Sequence, residues 1–125
     1  MNKIIITTNA PAPIGPYSQA VIANGFLFLS GQIAINPESG LIIESSLAEE
    51  THQVMRNIKA VLLEAGYGFE DIVKTTIFLS DMSLFAEVND IYGSYFETTF
   101  PARETVAVKG LPKNVNVEIS VTAYK

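Results

Sequence analysis

At 125 residues, the chain is long enough for one domain, residues 1–125, that buries roughly two-thirds of its unfolded surface. Thirteen acidic residues against eight basic ones give a net charge of −5, and no cluster of Lys and Arg is present, which argues against nucleic acid and anionic membranes as partners. The chain has no cysteine for a disulfide or a thiolate metal site, and no signal-like or membrane-length apolar run, so the expected location is the cytoplasm.

The first third of the chain predicts short strands joined by turns. We expect a strand from Lys3 to Thr7, followed by a stiff loop from Asn9 to Pro16, which contains three prolines and therefore few backbone donors. An Asn-Gly pair predicts a hairpin of Ala20–Ala23 with Phe26–Ser30, because a tight turn there requires positive φ. Leu41 to Ile43 is a candidate for one further short strand.

The first predicted helix is the clearest element of the sequence. Ser46 and Glu49 have the spacing of a capping box. Gly66 suits the left-handed position that ends a helix, so the segment Gly66-Tyr67-Gly68 is better explained as a helix stop than as a phosphate loop. One apolar stripe at helical spacing connects these ends, formed by Leu47, Val54, Ile58, Val61, Leu62 and Ala65.

The second half of the chain predicts a strand from Val73 to Ser80, a helix from Ser83 to Phe96, and strands from Glu104 to Lys109 and from Asn114 to Tyr124. The last strand alternates apolar and polar residues, which predicts one buried face and one semi-polar face. This order of elements predicts an α+β fold with two helices on one side of a sheet. The positive mean hydropathy hints that the other side is a subunit interface.

Few side chains are candidates for chemistry. The single histidine, His52, lies inside the first helix without metal-ligand partners, so we interpret it as a solvated helix residue and predict no metal site. Arg56 lies near the edge of the same helix and is expected to form a solvated salt bridge. Arg103 follows Pro101 at the start of a strand, where it could hold a carboxylate with two parallel hydrogen bonds or form a surface ion pair.

Glu118 is the only charged residue between Asn114 and Tyr124, and strand interiors disfavour glutamate. Its carboxylate is either solvated on an exposed face or retained for a task such as orienting water as a general base. Tyr17, just beyond the proline loop, could hydrogen-bond a ligand or cap the sheet edge. The residues alone leave these alternatives open.

Four motifs in register resemble those of the RidA/YjgF family of reactive-intermediate deaminases. The first is Ala10-Pro-Ala-Pro-Ile-Gly-Pro-Tyr-Ser-Gln19, and the second is Ser30-Gly-Gln-Ile33. The third is Phe85-Ala-Glu-Val-Asn89 with Tyr92. The fourth combines Pro101-Ala102-Arg103, Leu111-Pro112-Lys113 and Val117-Glu118-Ile119. The resemblance therefore covers nearly the whole chain.

The resemblance implies a chorismate-mutase-like α+β fold that assembles as a homotrimer, with the sheets facing inward, the helices outward and a site in each intersubunit cleft. It further implies cofactor-free hydrolysis of 2-aminoacrylate and related enamines and imines, including 2-iminopropanoate and 2-iminobutanoate, to 2-oxo acids and ammonia. The expected partners are thus small 2-imino and 2-oxo acids and further copies of the chain.

The resemblance also assigns roles to individual residues. Arg103 matches the arginine that binds the substrate carboxylate, assisted by the backbone N–H of Gly31, and Glu118 matches the glutamate associated with the hydrolytic water. The other expected cleft residues are Tyr17, Ser30, Asn89 and Thr105. Because Arg103 and Glu118 lie on sequential strands, we expect them to converge at one cleft.

The chain departs from the family pattern directly after the arginine. Many bacterial members carry Ser-Cys there, where this chain has Glu104-Thr105. Deamination does not need the thiol, and Glu104 need not pair with Arg103 because successive strand residues point to opposite faces. Two rival functions accompany the family: a regulatory ligand-binding module without turnover, in purine or isoleucine metabolism, and a ribonuclease or translation inhibitor, which the net charge disfavours.

Overall fold

A computed structural model describes residues 2–125, which form a single mixed sheet and two α-helices. The elements in chain order are β1 (Lys3–Ile5), β2 (Ala20–Ala23), β3 (Phe26–Gln32), α1 (Leu47–Ala65), β4 (Ile72–Leu79), α2 (Phe85–Gly93), β5 (Ala102–Ala107) and β6 (Val117–Tyr124). The spatial order of the strands is β1-β2-β3-β6-β4-β5. Only β4 and β5 are parallel; all other neighbours are antiparallel. The predicted α+β class is confirmed.

The two helices cover one face of this sheet. The alternation predicted for the last strand is confirmed, since every second residue of β6 is buried: Val117, Ile119, Val121 and Ala123. These side chains pack with the apolar stripe of α1 in one core that also includes Val88 and Tyr92 of α2. None of the helices within residues 2–125 has the length and apolar character needed to cross a membrane.

The helix α1 begins and ends where predicted, but within residues 2–125 only one of the two hydrogen bonds of the predicted capping box is present. The Ser46 hydroxyl accepts a hydrogen bond from the backbone N–H of Glu49 at 3.1 Å, which satisfies one donor of the first turn. Gly66 ends the helix in the left-handed conformation, with φ of 83°, which a side chain would disfavour. The Asn24-Gly25 hairpin is also confirmed, with positive φ at both residues.

The first strand is shorter than predicted, because it ends at Ile5 instead of Thr7. The cause is the buried side chain of Gln19, which replaces the neighbouring strand at Thr7. Its Oε1 accepts from the Thr7 N–H at 2.8 Å and its Nε2 donates to the Thr7 carbonyl at 3.0 Å. Leu41 to Ile43 is likewise no strand, since only one bridge forms there, between Ile35 and Ile42.

The last strand also differs, beginning at Val117 instead of Asn114. A short 3-10 turn, Pro112–Asn114, precedes it, with positive φ at both Lys113 and Asn114. After Val115, the backbone N–H groups of Asn116 and Val117 donate to the carboxylate of Glu50 and not to a neighbouring strand.

The remaining boundaries shift by a few residues. Pairing with β4 extends the start of β5 to Ala102, two residues before the prediction. The second helix is α-helical only over Phe85–Gly93; a 3-10 turn capped by Asp81 precedes it. Beyond Gly93 the chain continues through tighter bonds between residues three apart, which reach Phe96.

Candidate active site

The structure places Tyr17, Ser30, Gly31 and Glu118 around one cavity of about 370 Å³, which we call the β3–β6 pocket. Its remaining wall is mostly apolar and is formed by Pro11, Ala12, Ile14, Ile33, Ile35 and Pro112, together with Gln19 and Gln32. The pocket therefore combines one carboxylate with an apolar surround of a size suited to a small organic molecule.

A bulge in β3 shapes this pocket. The pairing of β3 with β6 skips a residue between Leu29, which lies opposite Val121, and Gln32, which lies opposite Ile119. Ser30 and Gly31 consequently face the single residue Ser120. A bulge of this kind interrupts the ladder and turns the local backbone, which is why bulges often occur beside binding sites.

The absence of a side chain at Gly31 makes room for Glu118. A methyl group at Gly31 would lie 2.9 Å from Cδ of Glu118 and would overlap its carboxylate. Glu118 is partly buried, and desolvation raises the pKa of its carboxyl group above the ordinary value. A carboxylate with a raised pKa and no counter-ion within residues 2–125 is suited to take a proton from water.

Buried polar contacts hold the proline loop over the pocket. Gln19 donates to the carbonyl of Pro11 at 2.9 Å in addition to its bonds with Thr7. The Ser30 hydroxyl donates to the Ser18 carbonyl at 2.6 Å, so Ser30 fixes the loop and its hydroxyl proton is already used. Tyr17 is about half exposed, and its hydroxyl accepts from the Ile14 N–H at 3.3 Å.

Arg103 and Asn89 lie in a different cavity, of about 460 Å³, which we call the β5–α2 pocket. Tyr92, Phe100 and Pro101 also line it. The guanidinium of Arg103 forms neither a salt bridge nor a hydrogen bond within residues 2–125, so the surface ion pair considered from sequence is not observed. Its donors therefore remain available for a bidentate contact with a carboxylate.

The two residues after Arg103 behave differently from each other. Glu104 points away from the arginine and binds Lys74 at 3.1 Å and the Thr76 hydroxyl at 2.6 Å, as the alternation of strand side chains predicts. These contacts lower the pKa of the Glu104 carboxyl group, and the hydrogen bond from Thr76 contributes most to this shift. Thr105 has a buried hydroxyl, the one buried side-chain polar atom found without a partner in residues 2–125.

The two pockets do not meet within one chain. The expectation that Arg103 and Glu118 converge because their strands are sequential is therefore wrong for two residues of the same chain. β4 lies between β5 and β6. Arg103 is in register with Thr75 and, across β4, with Val121, both of which are buried on the helix-covered face. Glu118 alternates with Val117 and therefore projects from the opposite face. The sequential order of two strands does not make them neighbours in the sheet.

The environments of His52 and Arg56 in α1 differ from those expected from the sequence. His52 is only partly solvated, because its Nδ1 lies 2.7 Å from the Tyr95 hydroxyl. Arg56 is exposed, and the salt bridge expected for it is not found within residues 2–125.

Two supporting residues on α1 were missed. The buried Glu50 accepts three hydrogen bonds from Asn116 and Val117, at 2.8, 2.9 and 3.2 Å, and so holds the start of β6. The buried Asn57 donates to the carbonyls of Ile33 and Ile35, both at 3.0 Å, and holds that wall of the β3–β6 pocket. The sequence did contain a sign of their role, because both polar residues lie at helical spacing on the same side of α1 as its apolar stripe and are therefore expected to be buried.

Comparison with known proteins identifies the family. The family model described as Endoribonuclease L-PSP matches residues 7–125, and the chain belongs to this family, which is the YjgF/RidA family that its motifs resemble. A bovine protein named 2-iminobutanoate/2-iminopropanoate deaminase is 45% identical over 125 residues, covering 100% of this chain and 91% of the relative.

Solved structures agree with the fold. A Rid family protein from Yersinia pestis is 52% identical, with a TM-score of 0.97 over 100% of both chains. Escherichia coli TdcF with bound serine is 38% identical, with a TM-score of 0.94 over 98% of each chain. The six-stranded sheet with two helices is therefore the YjgF fold.

Proposed function

We propose that the protein is a hydrolytic deaminase that converts 2-aminoacrylate and small 2-imino acids, such as 2-iminopropanoate and 2-iminobutanoate, to 2-oxo acids and ammonia. The observation that carries this proposal is the division of the expected site into two complementary pockets. The β3–β6 pocket contains a carboxylate with a raised pKa, and the β5–α2 pocket contains an arginine free of ion pairs within residues 2–125. A zwitterion-like substrate and its hydrolytic water need both groups.

The two pockets would form one site in a homotrimer, with the β5–α2 pocket of one subunit facing the β3–β6 pocket of the next. The open face of the sheet supports such an assembly. It exposes Phe26, Phe28 and Tyr124 by 37%, 49% and 51%, and the rings of Phe26 and Tyr124 pack in a tilted arrangement with centroids 4.7 Å apart. An apolar patch of this kind on a small domain is typical of a subunit interface.

Arg103 would bind the substrate carboxylate, and Asn89, which shares its pocket, would contact the same end of the molecule. Arginine suits this task because its rigid fork presents two parallel donors. Gly31 would contribute its backbone N–H from the other subunit. The unpaired hydroxyl of Thr105, two residues along β5 from Arg103, would also find its partner in the substrate or in the neighbouring subunit.

Glu118 would position and deprotonate the water that attacks the imine carbon. The new C–O bond forms as the C=N electrons move to nitrogen, which takes up the proton that Glu118 removed from the water. The regenerated carboxylate would then accept the proton of the new hydroxyl group and pass it to the amino nitrogen as the C–N bond breaks, so that ammonia leaves and the carbon becomes a 2-oxo group. The sum is imine plus water giving 2-oxo acid plus ammonia, so no redox partner is required.

The name of one relative and the ligand bound to another support this proposal. The bovine relative is named for this deamination, and TdcF was solved with serine, a molecule that also carries an amino acid carboxylate. The word endoribonuclease in the family description suggests RNA cleavage instead. Against RNA as a substrate stand the net charge of −5 and the apolar wall around Glu118.

The test is a coupled assay in which a dehydratase generates 2-aminoacrylate from serine and release of pyruvate is followed. We expect Arg103→Ala to lose about 10²-fold or more in kcat/KM, because truncating one partner of a desolvated charge pair costs roughly 2–5 kcal/mol. Arg103→Lys should recover only part of this loss, since lysine offers a single mobile charge. The matched control is Arg56→Ala, which removes the other arginine, exposed on α1.

Two results would decide against the enzyme. If the wild type binds 2-oxobutyrate in calorimetry but releases no pyruvate above the rate of the uncatalysed reaction, the cleft belongs to a regulatory binding module. If Arg103→Ala binds and turns over like the wild type, the arginine has no part in the site.

A further inference from the structure

Two aromatic rings of α2 enclose the side chain of Arg103. The Cζ atom of the guanidinium lies 5.3 Å from the ring centroid of Tyr92 and 5.7 Å from that of Phe85. These two residues are seven positions apart, which places them on the same side of the helix, two turns from each other. A guanidinium over an aromatic face is attracted by the ring electrons and keeps its edge free for hydrogen bonds.

The ring of Tyr92 is itself anchored. Tyr92 is only 3% exposed, and its hydroxyl donates to the hydroxyl of Thr75 at 2.8 Å. Thr75 is fully buried on β4 in register with Arg103, so the anchor lies on the strand beside the arginine. A tyrosine hydroxyl is ordinarily protonated at neutral pH, and burial raises the pKa of Tyr92 further, so this hydroxyl remains a donor.

We propose that Tyr92 is a positioning residue that fixes the plane of the Arg103 guanidinium so that its outer N–H groups face the substrate carboxylate. This inference rests on the proposed function and adds to it the cause of the arginine's orientation. Within residues 2–125 the guanidinium has neither an ion pair nor a hydrogen bond, so the rings are the contacts that restrict it. An arginine held by π contacts keeps all of its donors for the ligand, whereas one held by a carboxylate would not.

The experiment compares two ligands that differ in charge. Calorimetry measures the binding of 2-oxobutyrate, whose carboxylate needs the guanidinium, and of 2-oxobutanamide, its neutral analogue. Tyr92→Leu removes the aromatic face, and Tyr92→Phe keeps the face but loses the bond to Thr75. Tyr67 provides the matched control, because it is also buried, at 8% exposure, and its hydroxyl makes one bond, to the Gly25 carbonyl at 2.9 Å, outside both pockets.

We expect Tyr92→Leu to weaken 2-oxobutyrate binding about tenfold, because a desolvated cation–π contact has about that strength. Tyr92→Phe should weaken it about threefold, because the ring remains but the hydrogen bond that anchors it to Thr75 is lost. Binding of the amide should not change in either variant. In the coupled assay the loss should appear in KM more than in kcat. Tyr67→Leu should lower the thermal midpoint and leave both affinities unchanged.

A folded Tyr92→Leu protein that binds 2-oxobutyrate like the wild type overturns the inference. Equal weakening of both ligands also overturns it, since that pattern belongs to a residue that only supports the fold. If Tyr92→Leu does not fold, Tyr92→Phe decides by the same comparison. A loss of 2-oxobutyrate binding in Arg103→Ala but not in the Tyr92 variants would leave the proposed function standing without this positioning role.

Discussion

Glu118 and Gly31 are coupled at the level of single residues. The carboxylate of Glu118 occupies the space beside Gly31, in the bulge of β3, where a side chain at position 31 would lie. Any side chain at that position would therefore displace the carboxylate. Desolvation raises the pKa of the carboxyl group, so Glu118 holds its proton more tightly in the folded protein than in the unfolded chain. The two residues therefore allow separate tests of protonation and of position.

Glu118→Gln tests protonation. A general base acts in its deprotonated form, so wild-type kcat/KM should fall as the pH drops through the raised pKa, at a pH above the usual range of glutamate. The kcat/KM of the Gln variant should be about 10²- to 10⁴-fold lower than that of the wild type at neutral pH, and it should not fall further as the pH drops. Full activity of the Gln variant across neutral pH would assign Glu118 a structural role.

The same substitution has an effect on stability of predictable sign. A carboxyl group with a raised folded-state pKa contributes stability that is complete below the unfolded pKa and is lost as the pH rises through the folded pKa. Glu118→Gln, which is always neutral, should therefore unfold at a higher temperature than the wild type at about pH 7, and this gain should vanish at about pH 4. Thermal melts at both pH values check the sign.

Gly31→Ala tests position. The variant keeps the backbone N–H, and the φ of Gly31 is not positive, so alanine is compatible with the backbone. Its methyl group should displace the Glu118 carboxylate and lower kcat/KM about 10²-fold, the scale of a misplacement of about 1 Å. Gly110→Ala is the control, because no atom lies within 4 Å of the added methyl. Unchanged kinetics in Gly31→Ala would show that the carboxylate position is not critical.

At the level of elements, α1 determines where β6 begins. Glu50 in the first turn of the helix accepts the N–H groups of Asn116 and Val117, and its negative charge is favourable at a helix N-terminus. The strand that carries Glu118 is thus aligned by a carboxylate 66 residues away from Asn116 in the chain.

Glu50→Ala should destabilise the protein by about 3 kcal/mol, because it leaves buried donors without partners. Urea unfolding with a two-state fit measures the change. Glu49→Ala, one residue earlier in the same turn but exposed, should change stability by less than about 0.5 kcal/mol. Equal effects of the two substitutions would mean that the hydrogen bonds of Glu50 contribute little.

At the level of the whole molecule, the separation of the two pockets leads to a test of the assembly. Light scattering should give about three times the 13.6 kDa of the chain, as a closed three-fold ring requires. Arg103→Ala and Glu118→Gln, each inactive alone, should regain activity when they are unfolded together and refolded as mixed trimers. In an equimolar mixture about a quarter of the clefts receive both intact pockets.

Recovery to about a quarter of wild-type activity would support a site shared between neighbouring subunits. An active monomer, or a mixed trimer with no recovery, would contradict the intersubunit cleft. Refolding each variant by itself is the control, since neither should gain activity.

The sequence by itself determined the features that depend on neighbouring residues. α1 lies between the Ser46 cap and Gly66, the hairpin turns at Asn24-Gly25, and β6 alternates, because caps, turns and periodicity are local properties of the backbone. The family motifs also selected the site residues, although geometry played no part in that selection.

Only the tertiary structure decided how these residues are arranged. The insertion of β4 between β5 and β6 places Arg103 and Glu118 on opposite faces, and strand pairing of this kind depends on register and burial over the whole chain. The ends of β1 and β6 were likewise decided by distant side chains. Gln19 binds the backbone of Thr7 and Glu50 binds the backbone of Asn116, two residues that the local sequence pattern had assigned to strands. Long-range hydrogen bonds of this kind leave no periodic signal in the sequence.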